Sequence, residues 1–154
     1  MRRRRRRTIL LIVVGILLFL VISALLTRAL AVGGAEDSAI TDMVRAEASG
    51  NPARMVATIH DCQRSASCRA RAATNAAALK RRGAVSIIQI QESAGFSVGE
   101  TQGTARVAWL AGGSLPIVQC VRVRHAGNVL QGFTIELLEV SRRIKSDAAC
   151  PSQF

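Results

Sequence analysis

The sequence predicts an α+β domain carried behind a single membrane-spanning helix. Three observations lead there. Thr8–Thr27, TILLIVVGILLFLVISALLT, holds no charged residue. Between residues 36 and 82 the apolar residues recur at helical spacing, and after Ala84 the spacing changes to two.

As a helix rising about 1.5 Å per residue, the uncharged run reaches roughly 30 Å, the thickness of a bilayer's hydrocarbon core. Six arginines, Arg2–Arg7, precede it and Arg28 follows. That asymmetry predicts a cytoplasmic basic stub (1–7), a span (8–30) and an extracytoplasmic remainder. Ala29-Leu30-Ala31 also fits the small-x-small pattern of a signal-peptidase site. Secretion after cleavage near Ala31 is therefore the alternative. The run is longer than the apolar core of about 7–15 residues typical of signal peptides, which favours the anchor.

The net charge of +11 is mostly topology signal. Arg2–Arg7 and Arg28 account for seven of the 21 basic residues, leaving 14 against 10 acidic ones, a net of +4 for residues 29–154. Beyond the span the aromatic residues are Phe96, Trp109, Phe133 and Phe154, with no tyrosine. So mild a charge and so few stacking platforms argue against a nucleic-acid partner.

The chain in order is expected to begin with a short flexible tether, Ala31–Ala35 (AVGGA), leading into the domain, 36–154. In the first helix Ile40, Met43, Val44 and Ala48 form one stripe, with acidic residues at its start facing the positive end of the helix dipole. Ser49-Gly50-Asn51 ends it. Asn51 caps a second helix, 52–62, in which Pro52 suits the first position and Met55, Val56 and Ile59 are buried. A third, about 65–82, stops at Gly83 with Lys80, Arg81 and Arg82 in its last turn.

Four strands follow: Ala84–Ser93, Thr104–Ala111, Leu115–Arg124 and Val129–Ser141. Turns at Gly112-Gly113-Ser114 and His125–Asn128 join the last three. The Ala94–Gly103 link, with three glycines, is expected to be the mobile loop. Short connections make the sheet an antiparallel meander. Alternation puts Val107, Trp109, Ile117, Val121, Val123, Phe133, Ile135 and Leu137 on the inner face. Arg106, Arg122, Arg124, Thr134 and Glu136 fall on the outer face. Ala108, Leu110, Val118, Leu138 and Val140 also fall outside. Either the C-terminal tail or a helix covers them, or Val118, Leu138 and Val140 form a partner surface.

Four cysteines in an oxidising compartment suggest two disulfides. Of three possible pairings, Cys62–Cys68 and Cys120–Cys150 join positions that the element order brings close. One unbroken helix would hold Cys62 and Cys68 too far apart, so the first pair requires a turn at Gln63–Ser67. The second would fold Asp147–Phe154 over the outer face.

No catalytic motif is present, and no metal or cofactor is expected. His60-Asp61 is the sole His beside a carboxylate; on one helix the two would point about 100° apart, which makes a surface pair. His125 reads as a solvated turn residue.

Three helices followed by a four-stranded meander resemble the cystatin-like and NTF2-like cone folds. Carried on one N-terminal span, they resemble the Mce-associated membrane proteins and the bitopic inner-membrane component of type IV secretion systems. The resemblance covers element order across 36–141 and the anchor. It implies an assembly role, with a protein partner or homo-oligomer, as an accessory subunit of an envelope complex. The alternative is a pocket for a small apolar, lipid-like ligand between helices and sheet, near Trp109, Phe133 and Val107. An NTF2-like enzyme would need an acid or base inside the cone, and the inner positions derived from alternation supply none.

Overall fold

The computed structural model describes residues 2–93, 100–128, 132–152 and 154, without the side chains of 2–5, 8, 28–33, 128 and 133. The element order is α1 (Arg2–Ala48), α2 (Pro52–Thr58), a single 3₁₀ turn (Cys62–Arg64), α3 (Ala66–Leu79), then β1 (Val85–Gln91), β2 (Thr101–Ala111), β3 (Ile117–Asn128) and β4 (Gly132–Val140). The fold is α+β, with one four-stranded antiparallel sheet in the order β1-β2-β3-β4.

The expected tether is absent. Helical backbone runs unbroken through Ala31–Ala35, so the apolar run and the domain's first helix are one helix of 47 residues, about 70 Å long. Two glycines cost a helix roughly 1 kcal/mol each relative to alanine. Stopping and restarting it would leave four unpaired N–H groups and four unpaired C=O groups. With no proline between Thr8 and Gly50, continuation is the cheaper outcome. Ile9–Thr27 is long and apolar enough to cross a membrane, and none of it is buried within the protein. The dipole role assigned to acids at 36–37 lapses, because no helix starts there.

Only the last three turns of α1 enter the domain. Ile40, Met43 and Val44 are fully buried and meet Met55 of α2, Ala72, Ala76 and Leu79 of α3, and the inner sheet face. That face is Ala105, Val107, Trp109, Ile117, Val121, Val123 and Leu137, largely as alternation predicts, with Ile135 packed at its margin. The side chain of Phe133 lies outside the described residues. Asn51 caps α2 by accepting a bond from the Arg54 N–H at 3.1 Å, with Pro52 at the helix start.

The boundaries that differ most from expectation have local causes. α2 ends at Thr58, since Ile59 turns extended to bridge Leu137 in β4. α3 ends at Leu79, earlier than Gly83. β3 continues to Asn128, so His125 lies within a strand opposite Thr101 and Ile135, not in a turn. β2 starts at Thr101, and residues 94–99 of the expected mobile link lie outside the described residues.

Gly103 is required by a close approach. A Cβ there would sit 2.0 Å from the carbonyl oxygen of Ser93 at the end of the neighbouring strand. Gly103→Ala must push Ser93 away, and overpacking of this kind costs roughly 1–3 kcal/mol. The expected outcome is a lower urea midpoint at unchanged m-value for the protein in detergent micelles.

Candidate functional site: buried polar clusters and a strapped sheet face

The polar groups with the most constrained surroundings lie where α1 meets the sheet. Glu36 is 1 % exposed and accepts three contacts. The Ser93 N–H donates to Oε1 at 2.8 Å, the Ser93 hydroxyl donates to Oε2 at 2.9 Å, and His125 Nε2 lies 2.6 Å from Oε2. Ser93 Oγ is also 3.4 Å from His125 Nε2. Serine, histidine and glutamate thus converge, yet the arrangement is not a proton relay. In a relay the acid holds one imidazole nitrogen and the nucleophile meets the other. Here both meet Nε2. The cluster is a clamp fixing the start of α1's buried segment to β3 and to the end of β1.

Three turns further along α1, Glu47 is fully buried. Gln119 Nε2 donates to its Oε1 at 2.9 Å, and Trp109 Nε1 donates to Gln119 Oε1 at 2.8 Å. The Ser141 carbonyl accepts from both Gln119 Nε2 and Asn75 Nδ2, at 3.2 and 2.9 Å. Glu47 Oε2 has no hydrogen-bond partner among the described residues. Burial raises the Glu47 pKa from 4.5 to about 7, against smaller lowering by Gln119 and Asn75.

Neither acid was expected inside the domain, nor was His125. The sequence did carry a signal for the two glutamates. Glu36 stands four residues before Ile40 and Glu47 four after Met43, both on the apolar stripe.

His60 and Asp61 do not share a helix. The His60 N–H donates to the Leu137 carbonyl at 2.7 Å, and Asp61 takes a left-handed backbone with φ of 51°. That turn brings Asp61 Oδ2 within 3.3 Å of His60 Nε2. Glu136 lies 3.7 Å from His60 Nδ1 and is held by Arg124. The cluster lines an open cleft of about 430 Å³ beside β4 and is solvated, which makes each pair worth little.

The outer sheet face is crossed by the C-terminal tail. Cys120 and Cys150 are at disulfide distance, with Cα atoms 5.8 Å apart; Cys62 and Cys68 are likewise paired, at 5.3 Å, across the turn that this pair demands. Ile144 bridges Val118, Arg122 donates to the Ser152 carbonyl at 2.8 Å, and its guanidinium stacks 5.1 Å above Phe154. Val118 is therefore buried under the tail. Leu138 is half-buried beside Phe154 in a cleft of about 220 Å³. Val140 belongs to the core, a correction. The β3–β4 register shifts between Arg122 and Val123, and the extra residue Leu138 turns Val140 to the inner face. Val107 and Trp109 are fully buried and line neither the cleft beside β4 nor the one beside Phe154.

Compared with family models, curated proteins and solved structures, the chain matches none.

Two outcomes are expected. The unfolded chain releases the Glu47 proton near pH 4.5 and the folded one near 7. Between those values the unfolded state binds fewer protons, so stability falls as pH rises, by on the order of 3 kcal/mol, and levels off above 7. Glu47→Gln should flatten that slope in thermal melts run from pH 5 to 8. Replacing Cys120 and Cys150 together by serine opens a loop of 30 residues. The expected loss is roughly 3–4 kcal/mol in the chain-entropy estimate, read as a lower denaturant midpoint.

Proposed function

We propose that the protein is a membrane-anchored extracytoplasmic interaction module, an accessory subunit of an envelope complex. One observation carries this reading: the apolar segment Ile9–Thr27 and the first core helix of the domain are a single helix. A domain so joined is held at one height and one orientation, the mechanical condition for assembling with neighbours in the same membrane. Arg2–Arg7 support a cytoplasmic N-terminus, and the two cysteine pairs fit an oxidising compartment. Helices followed by a four-stranded meander are in keeping with a cystatin-like or NTF2-like cone, and the single anchor with the Mce-associated type of membrane protein.

Close packing around Trp109 leads us to prefer this reading to a pocket for an apolar ligand. Its indole N–H is already bonded to Gln119, and its ring is shielded from solvent.

The test is chemical crosslinking and mass spectrometry on the protein in its native membrane. The expected result is a specific protein partner or second copy, together with an intact N-terminal peptide upstream of Ala31. A protein crosslinked to nothing, or one with its cysteines reduced and alkylated from the cytosolic side, would overturn the proposal.

A further inference from the structure

The 14 basic residues after Arg28 are unevenly placed. Lys80, Arg81 and Arg82 follow α3, where the Arg81 N–H donates to the Ala48 carbonyl at the far end of α1. Arg82 lies against the β2–β3 turn, its carbonyl 2.2 Å from where a Cβ on Gly112 would stand. Arg143 reaches the Pro116 carbonyl at 3.4 Å, just past the same turn, and Lys145 follows it. None of these five cations is within salt-bridge distance of a carboxylate among the described residues. Arg143 and Lys145 line the cleft at this end of the domain, and Asp147 is the one acid that lines it with them.

An apolar groove runs beneath this basic end. Its wider part, about 630 Å³, is lined by Leu115, Pro116, Val118 and Ile144 with Arg143 and Lys145 at the rim. Across Pro116 and Val118 it continues into a second cleft of about 220 Å³ ending at Ile88. Leu115 is 79 % exposed and Ile88 52 %. Ile88 faces out because the β1–β2 register shifts between Ile87 and Gln89.

We propose that this groove is the docking site for an acidic, amphipathic segment of a partner protein, whose apolar side chains fill it while its carboxylates meet the basic rim. The proposal rests on the membrane-anchored reading above. Charge complementarity selects the occupant, and geometry removes the competitors. Ala48, where α1 ends, is 21 residues beyond Thr27 on one helix, roughly 30 Å from the apolar segment, out of reach of the same bilayer's anionic headgroups. A second copy in that membrane would present its own basic end at the same height. The chain's own tail is already pinned elsewhere, through Cys150 and Ser152.

The test places a photocrosslinking benzophenone side chain at Leu115, and separately at Ala73 on the exposed face of α3, in the full-length protein in cells, with adducts sequenced. Expected are Leu115 adducts to an Asp/Glu-rich segment of one protein. Their yield should fall about fivefold or more with Arg143→Glu plus Lys145→Glu, and fall likewise as salt is raised on isolated membranes. Melting temperature and intact disulfides of the purified double variant establish that it is folded. Adducts from Leu115 to lipid, to another copy of the chain or to a segment lacking acidic residues would overturn the docking proposal. So would a yield indifferent to the charge reversals. Adducts at Ala73 with none at Leu115 would refute the groove and leave the module reading standing; none at either position would count against both.

Discussion

The burial of α1's last turns against the sheet is the contact on which everything else hangs. Ile40, Met43 and Val44 are each completely withdrawn from solvent. At roughly 1.5–3 kcal/mol per fully buried side chain, they contribute several kcal/mol that no other part of α1 supplies. A helix gripped this way cannot rotate, because turning by one residue moves each side chain about 100° and takes the stripe off the sheet. Whatever orientation the apolar segment adopts is therefore passed to the domain as a rigid lever.

Carboxylates stand at both ends of that grip. Glu36 and Glu47 are 11 residues apart, three turns, so they lie on one line down the helix. Glu36 receives three polar contacts and is well satisfied. Glu47 has one unpartnered oxygen and keeps its proton to about pH 7. A slip of α1 by one turn along the sheet would leave both acids facing apolar side chains, at a cost of several kcal/mol for each. The two ends thus set the register of the helix, while the apolar residues between them supply the adhesion. That division matches the known use of buried polar groups to specify alignment at some expense of stability.

Much of this was legible beforehand. The uncharged run, the α-then-β order, the inner face of β2 and β3 and the Asn51 cap follow from residue type and spacing, and the two cysteine pairings are favoured among three because that element order brings them close. Three features did not, each for a physical reason. Gly33 and Gly34 signal a break only if helix propensity decides, and here hydrogen-bond continuity outweighs it. Val140 reads as outward because alternation has no symbol for a bulge. His125 and the two glutamates read as solvent-facing because residue type is an average over environments. At 36, 47 and 125 the helical stripe and strand parity point inward against that average. Position was the better guide.

A rigid lever and a flexible tether suit different tasks. A tether of five residues would let the domain sweep the nearby membrane surface, raising its encounter rate with partners in many poses. A continuous helix gives up that search. In exchange it fixes each surface of the domain at a set distance from the apolar segment, so that under the proposed anchored arrangement a partner in the same plane would meet it without a further loss of orientational freedom. The strapped outer face fits the same logic. The tail and its disulfide cover the sheet around Cys120 and stop short of Ile88 and Leu115, leaving apolar surface open at the end furthest from the apolar segment. Had the tail been there only to protect the sheet, the exposed leucine beside the turn is the residue it should have covered first.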